Sequence, residues 1–142
     1  MVFKIADNIL SPLGATTAEN YQAMKDGHSS LKHYVSYSGR EEDNFIASRF
    51  SDEQRKRLMV SGLTWFESLV YHSIKQALSD CSEEVITERT LLILSTTKGN
   101  IDFLSTNDYD QLLPAESAIR IARLLGITTK PLVVSDACIS GV

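Results

Sequence analysis

Two short apolar runs, separated by an amphipathic segment, most constrain the fold of this chain of 142 residues. Residues 90–95 (TLLILS) and 131–135 (PLVVS) are nearly continuous apolar stretches between polar flanks. Such runs are typical of strands buried on both faces. Residues 115–125 have helical amphipathicity that begins near Pro114 and stops at Gly126. Strand, helix and strand in this order predict an α/β fold with helices packed on a parallel or mixed sheet.

The sequence upstream of these runs adds two helices and one strand. Residues 2–6 predict a short strand. Thr16, followed three residues later by Glu19, predicts the capping box that opens a helix. Apolar residues recur on one face through residues 66–78, which predicts a helix of several turns. Residues 28–50 are polar and mixed, and they predict no regular element.

The composition excludes several classes of protein. A net charge of −4 argues against attachment to nucleic acid by bulk charge. The two cysteines are far apart and form neither a secreted disulfide framework nor a zinc motif, and we expect no metal and no cofactor. No apolar stretch approaches the ~18 residues that span a bilayer, and the first residues lack the apolar core of a signal peptide. We therefore expect one cytoplasmic domain over residues 1–142, with no membrane span.

Cys138 follows the second apolar run, among small residues (SDACISG). In α/β folds the chemistry collects at the carboxyl ends of strands. A sharp strand-to-helix turn there would expose the thiol, and the N-terminus of a following helix would favour the thiolate. The alternative is that Cys138 is a small core residue, as most buried cysteines are. Cys81 is interpreted as structural or incidental.

Four segments together resemble the N-terminal half of a β-ketoacyl synthase that acts on acyl-carrier-protein thioesters. They are ILSPLGATTAENYQAMKDGHSSL, DEQRKRLM with the helix after it, LLILSTTKGN and LVVSDACISGV, and they stand in the family's order. The resemblance spans nearly the whole chain and implies the layered α/β fold of thiolases.

The resemblance assigns roles to five positions. Cys138 would accept an acyl group from a carrier-protein thioester, and a decarboxylated malonyl thioester would then attack it to give a 3-oxoacyl product. Arg55 and Lys56 match the basic positions that dock acyl carrier protein. Lys98 and Gly99 lie in the loop near the acyl pocket, where the family is richer in glycine; Lys98 either alters which chain fits or faces solvent. The family is cytoplasmic and pairs as a homodimer or a synthase heterodimer in fatty acid or polyketide synthesis.

Two departures from the family pattern limit these expectations. The family's catalytic histidines and lysine follow the cysteine, and none of the three histidines here (His28, His33 and His72) matches such a position. The stop after Val142 is interpreted as a truncation or proteolytic boundary, which predicts a fragment that is inactive in condensation and exposes an apolar strand face. Asp136 would raise the thiol pKa unless its side chain faces away or caps the next helix, and capping is the simpler role.

Three other functions compete with a carrier-dependent synthase. A chain-length-factor-like partner subunit keeps the fold without catalysis, but such subunits have lost the cysteine, whereas this chain has Cys138. A thiolase, or a synthase that starts from coenzyme A thioesters, uses a similar cysteine, but the ILSPLG turn and the basic segment fit carrier-dependent elongation better. A plain binding module has no specific support in the sequence.

Overall fold

A computed structural model describes residues 1–35, 43–81, 84–106 and 108–140. The chain divides into two compact units, Met1–Leu58 and Met59–Val142. Across the described residues the structure is mixed α/β, with five α-helices and two two-stranded sheets, and this confirms the predicted α/β class.

The described residues of the first unit form two helices and an antiparallel strand pair, the hairpin: α1 (Thr17–Lys25), β1 (Leu31–Tyr34), β2 (Phe45–Ser48) and α2 (Asp52–Leu58). In the hairpin Leu31 lies opposite Ser48, and Tyr34 lies opposite Phe45. The hairpin falls in residues 28–50, the stretch whose sequence showed no clear pattern, and residues 36–42 of that stretch lie outside the described residues. Most hairpin side chains are exposed on both faces, so the strands lack the apolar–polar alternation by which a half-buried strand is recognised.

The capping box predicted at the start of α1 is confirmed. The Thr16 hydroxyl accepts a hydrogen bond from the Glu19 amide at 3.1 Å, and the Glu19 carboxylate accepts one from the Thr16 amide at 3.3 Å. The side-chain amide of Asn20, the residue after Glu19, donates to the carbonyls of Ile9 and Gly14 at 2.9 and 3.0 Å. A Cβ at Gly14 would approach the Glu19 Cβ to 2.5 Å, so only glycine lets this loop lie against the helix.

The strand predicted over residues 2–6 is absent from the structure. These residues form no regular element, and the side chains of Val2, Phe3 and Ile5 are at least 70% exposed. Apolar residues favour a strand only where a neighbouring strand pairs with them and a core covers them. Neither condition holds for this segment within the part of the chain that is described.

The described residues of the second unit form three helices, two strands and two 3-10 turns: α3 (Trp65–Ser79), β3 (Ile93–Ser95), the turn Ile101–Phe103, α4 (Tyr109–Leu112), α5 (Pro114–Leu125), β4 (Leu132–Val134) and the turn Ala137–Ile139. The predicted helices over 66–78 and 115–125 are confirmed. At the end of α5 Gly126 adopts φ 77° and ends the helix, a conformation that is strained for residues with a Cβ.

β3 and β4 pair in parallel, as predicted, with Ile93 opposite Leu132 and Ser95 opposite Val134. The prediction that residues 90–95 are buried on both faces is wrong. Leu94 is 6% exposed, whereas Ile93 and Leu132 on the other face are 57% and 52% exposed. The helix α5 packs against one face of the strand pair and buries that face.

The core of the second unit lies where α5 meets this pair. Its buried members are Leu92, Ile121, Ala122 and Leu125, and the half-buried Val70 and Ile74 of α3 pack against them. Full burial of a side chain such as Ile121 contributes about 2–3 kcal/mol to folding. This core fixes the sheet edge from which the Cys138 turn leaves.

Candidate active site

Cys138 is an exposed free thiol in the turn that follows β4. Two residues, Ser135 and Asp136, separate the strand from the turn Ala137–Ile139. The sequence predicted this location at the carboxyl end of a strand. The thiol is accessible to solvent in the described chain.

The backbone of this turn is strained at the residue before the cysteine. Ala137 has φ 45°, in the left-handed region that a residue with a Cβ rarely adopts. Such a conformation costs about 1–2 kcal/mol and persists where the surroundings hold it. The hydroxyl of buried Ser140 provides that support, because it accepts from the Asp136 amide and donates to the Ala137 carbonyl, both at 2.8 Å.

One hydrogen bond joins β3 to the residue after the turn, and a second joins the residue after β3 to the last residue of β4. The Ser95 hydroxyl donates a hydrogen bond to the Ser140 carbonyl. One residue later, the Thr96 amide donates to the Val134 carbonyl at 3.1 Å. The Cys138 turn and the loop after β3 therefore leave the same edge of the sheet.

The predicted helix N-terminus at Cys138 is a three-residue 3-10 turn in the described part of the chain, and Gly141 and Val142 of the signature lie outside it. Three residues carry little of a helix macrodipole. Asp136 occupies the N-cap position but makes no side-chain hydrogen bond to the turn, so its predicted capping role is wrong. Asp136 has φ −137° and ψ 64°, and its own amide donates to the Ser140 hydroxyl at 2.8 Å.

Lys98 and Gly99 lie in the loop after β3, on the sheet edge that carries Cys138. The Thr96 hydroxyl accepts hydrogen bonds from both of their amides, at 3.3 and 3.0 Å. Lys98 is exposed, and this fits the alternative in which its side chain faces solvent. Gly99 is buried with φ 55°, and a Cβ there would lie 3.5 Å from the Pro114 Cγ.

Asn100, the residue after Gly99, is the centre of a buried polar network that the sequence did not reveal. Its amide nitrogen donates to Glu67 Oε1 at 3.2 Å, to Ser117 Oγ at 3.0 Å and to the Gln111 carbonyl at 2.7 Å. Its oxygen accepts from the Thr64 hydroxyl at 2.5 Å. The loop that borders the Cys138 edge is thereby fixed to α3 and α5.

Glu67 is fully buried and anchors this network to α5. Arg120 donates to Glu67 Oε1 from Nη2 at 2.6 Å and from Nε at 3.0 Å, and the Thr64 amide donates to Oε2 at 3.0 Å. Burial alone raises the pKa of the Glu67 carboxyl. The hydrogen bonds from Arg120, Thr64, Ser117 and Asn100 outweigh burial and leave this pKa below its ordinary value.

Arg55 and Lys56 lie in the last turn of α2 in the first unit, and both are exposed, as is Arg57. A further cation that the sequence did not single out, Arg49, lies over the ring of Tyr34 at 5.1 Å. Arg49 and Arg55 line the same surface cavity of about 420 Å³. We call Arg49, Arg55, Lys56 and Arg57 the basic cluster.

The three histidines lie apart from Cys138 along the chain, and His33 lies in β1. His28 and His33 are exposed. His72 lies on α3 with its ring edge-on to Tyr71 at 5.9 Å, and its Nε2 is buried without a hydrogen-bonding partner among the described residues. Across those residues no three carboxylate, histidine or cysteine side chains form a metal site, and no helix is long and apolar enough to cross a membrane.

Comparison of the chain with protein-family models, with curated protein sequences and with solved structures gives no match in any of the three.

Proposed function

We propose that this chain is the N-terminal half of a β-ketoacyl synthase with the layered thiolase-like fold, and that Cys138 is its acyl-accepting nucleophile. One observation carries the proposal: an exposed thiol in a strained, hydrogen-bonded turn at the carboxyl end of a strand in a parallel pair. This is the position at which α/β enzymes present a nucleophile. The ACISG sequence around it supports the assignment.

The proposed reaction has two covalent steps. The Cys138 thiolate attacks the carbonyl carbon of an acyl thioester, a new C–S bond forms, and the carrier thiolate leaves and takes a proton. A malonyl thioester then loses carbon dioxide, and its carbanion attacks the acyl carbon and expels the Cys138 thiolate. The product is a 3-oxoacyl thioester one two-carbon unit longer.

The second step requires groups that the described site does not bring together. His28, His33 and His72 match no position from which the family supports decarboxylation. Within the proposal, two histidines, or a histidine and an asparagine, and a lysine come from the second half of the enzyme. The 142-residue chain alone is expected to give no 3-oxoacyl product.

The basic cluster is the proposed docking site for acyl carrier protein. Its guanidinium and ammonium groups are exposed on a chain of net charge −4, on and beside a helix that begins with the exposed acids Asp52 and Glu53, and exposed cations steer an anionic partner. Arg55 and Lys56 carry the family match, and Arg49 lines the same cavity as Arg55, together with Asp52. Lys98 and Gly99 are the proposed border of the acyl pocket, at the Cys138 edge of the sheet.

The exposed face of the β3–β4 pair is the proposed subunit interface. Ile93 and Leu132 lie opposite each other and are each more than half exposed. A homodimer or a synthase heterodimer would cover such a face. The proposed setting is cytoplasmic fatty acid or polyketide synthesis.

The test uses the product of the complete open reading frame, an acyl-loaded carrier protein and a malonyl-loaded carrier protein. Mass spectrometry of the carrier-bound products should detect the 3-oxoacyl thioester with the wild type and with Cys81→Ala, and not with Cys138→Ala. Arg55→Glu with Lys56→Glu should raise KM for the carrier protein and leave kcat for small acyl thioesters unchanged. Product formation that survives Cys138→Ala would contradict the nucleophile.

A chain-length-factor-like partner subunit is the second candidate, because the exposed sheet face suits a heterodimer whichever subunit is catalytic. In that case the chain would raise the activity of a companion synthase, and Cys138→Ala would leave that increase intact. The same pair of cysteine variants therefore separates the two functions.

A further inference from the structure

The side chain of Ser140 is buried against the backbone of the Cys138 turn. Ser140 is 6% exposed, and its hydroxyl makes two hydrogen bonds of 2.8 Å. It accepts one from the Asp136 amide and donates the other to the Ala137 carbonyl. A hydroxyl has a single O–H to donate, and here the backbone takes it. The hydroxyl of Ser140 therefore acts on the shape of the turn.

These two hydrogen bonds span the strained residue that precedes the cysteine. They reach from the Asp136 amide to the Ala137 carbonyl, and so they restrain the backbone angles between those two groups. Among the described residues Ala137 is the only one other than glycine with a positive φ, at 45°, which a Cβ disfavours. Cys138 is the next residue, so the direction of its thiol depends on these angles.

A third hydrogen bond connects Ser140 to the neighbouring strand. The Ser95 hydroxyl, at the end of β3, donates to the Ser140 carbonyl from 45 positions earlier in the chain. The strained turn is therefore held by one side chain from its own segment and by one from β3. Strain that the surroundings hold in place beside an exposed thiol is typical of a functional position.

We infer that Ser140, held on β3 by Ser95, is a positioning residue that directs the Cys138 thiol toward the carbonyl carbon of an acyl thioester. The inference rests on the proposed function, because it assigns these two serines a part in the acyl step. Both act through the backbone of Ala137 and supply no proton to the reaction. Because attack requires close alignment of the reacting atoms, a small misplacement of the thiol lowers the rate steeply.

The test measures acyl transfer to Cys138 in the product of the complete open reading frame. The protein is mixed with an acyl-loaded carrier protein, and its intact mass is recorded over time at a temperature where circular dichroism shows each variant folded. Ser140→Ala should lower the maximal rate about tenfold, since the cost of the positive φ is no longer offset. The carrier concentration that gives half the maximal rate should stay unchanged, because the basic cluster is intact.

Two further single variants calibrate this result. Ser95→Ala should lower the maximal rate about threefold, because it removes one hydrogen bond and leaves the Ser140 hydroxyl in place. Ser135→Ala is the matched control: Ser135 is an exposed serine of the same segment, and its side chain makes no hydrogen bond within the described chain. Its substitution should change neither quantity. Equal slowing by Ser135→Ala and Ser140→Ala would contradict the inference.

Glycine at position 137 distinguishes positioning from a general loss of structure. Glycine adopts a positive φ without the cost that a Cβ imposes. The double variant Ala137→Gly with Ser140→Ala should therefore regain most of the rate that Ser140→Ala loses. A double variant as slow as Ser140→Ala, or a Ser140→Ala as fast as the wild type, would overturn the inference.

Two remaining outcomes are also decisive. If Ser140→Ala does not fold, Ser95→Ala carries the test, because Ser95 is exposed and its loss should not prevent folding; an unchanged rate in Ser95→Ala would then overturn the inference. A wild type that takes up no acyl group would refute the function proposed for Cys138. Acyl transfer that does not respond to either serine would refute the positioning role alone, so the two failures are distinguishable.

Discussion

Replacement of Glu67 by glutamine should be among the most destabilising conservative changes in the second unit. Glu67 is fully buried, and its two oxygens accept four of the hydrogen bonds described above, two of them from the Arg120 guanidinium. A glutamine of the same size retains one acceptor oxygen. If that oxygen faces Arg120, the new NH₂ group faces the Thr64 amide, so that two donors meet without an acceptor.

The expected loss of stability follows from the Arg120 charge that Glu67→Gln leaves without an opposite charge. The Arg120 side chain is 23% exposed, so its guanidinium loses its anionic partner in a largely dehydrated environment. Breaking a buried ion pair by removal of one partner typically costs about 3–5 kcal/mol. Because Arg120 retains some contact with water, we expect the lower end, about 3 kcal/mol. This is a large part of the roughly 5–15 kcal/mol by which a domain is stable.

The assay is equilibrium unfolding in urea followed by Trp65 fluorescence, which reports the second unit. Glu88→Gln is the matched control, because Glu88 is exposed and its substitution should change the free energy of unfolding by no more than about 0.5 kcal/mol. In a double-mutant cycle, Arg120→Met should cost less in the Glu67→Gln background than in the wild type, by about 2 kcal/mol. A loss below about 1 kcal/mol for Glu67→Gln, or no coupling to Arg120, would refute the reasoning.

Three further predictions concern pH, thiol reactivity and association. Because the folded-state pKa of Glu67 is lowered, the ionised carboxylate stabilises the fold above the ordinary pKa near 4.5, and this stabilisation is lost as the pH falls through the lowered pKa. The stability difference between wild type and Glu67→Gln should therefore shrink below pH 4.5, and a difference that stays constant would contradict this sign. Iodoacetamide should label exposed Cys138 faster than half-buried Cys81 in peptide mass spectrometry, and equal rates would argue against the exposed turn. The 142-residue chain should self-associate as its concentration is raised, as measured by sedimentation velocity, and the double variant Ile93→Thr with Leu132→Thr should associate more weakly. If the double variant associates as the wild type does, the exposed sheet face is not the contact.

The elements that the sequence predicted correctly are those with strong local signals. The capping box at Thr16 and the apolar face of residues 66–78 identify α1 and α3 without reference to distant residues. The segment from Pro114 to Gly126 contains both a helix start and a helix stop. The position of Cys138 after a strand could be predicted, because the residues of β4 form an apolar run in the sequence.

The features that the sequence did not predict depend on partners distant in the chain. The β1–β2 hairpin is exposed on both faces and has no alternating pattern to detect. Residues 2–6 have strand-like composition but no strand to pair with. The Asn100 network joins residues separated by 33 and 53 positions, so the spacing of Glu67, Asn100 and Arg120 carries no local period. One indication was available: Glu67 and Thr64 form a capping box, which places that glutamate at the start of a helix.

The central claim is that Cys138 takes up an acyl group, and the most direct measurement is the mass of the protein after exposure to an acyl-loaded carrier protein. The product of the complete open reading frame is incubated without malonyl thioester, and the intact mass and the peptide masses are recorded. Our account predicts one acyl group per chain on the peptide that contains Cys138, retained in Cys81→Ala and absent from Cys138→Ala. An unmodified protein, or an acyl group on Cys81 to the same extent, would contradict it.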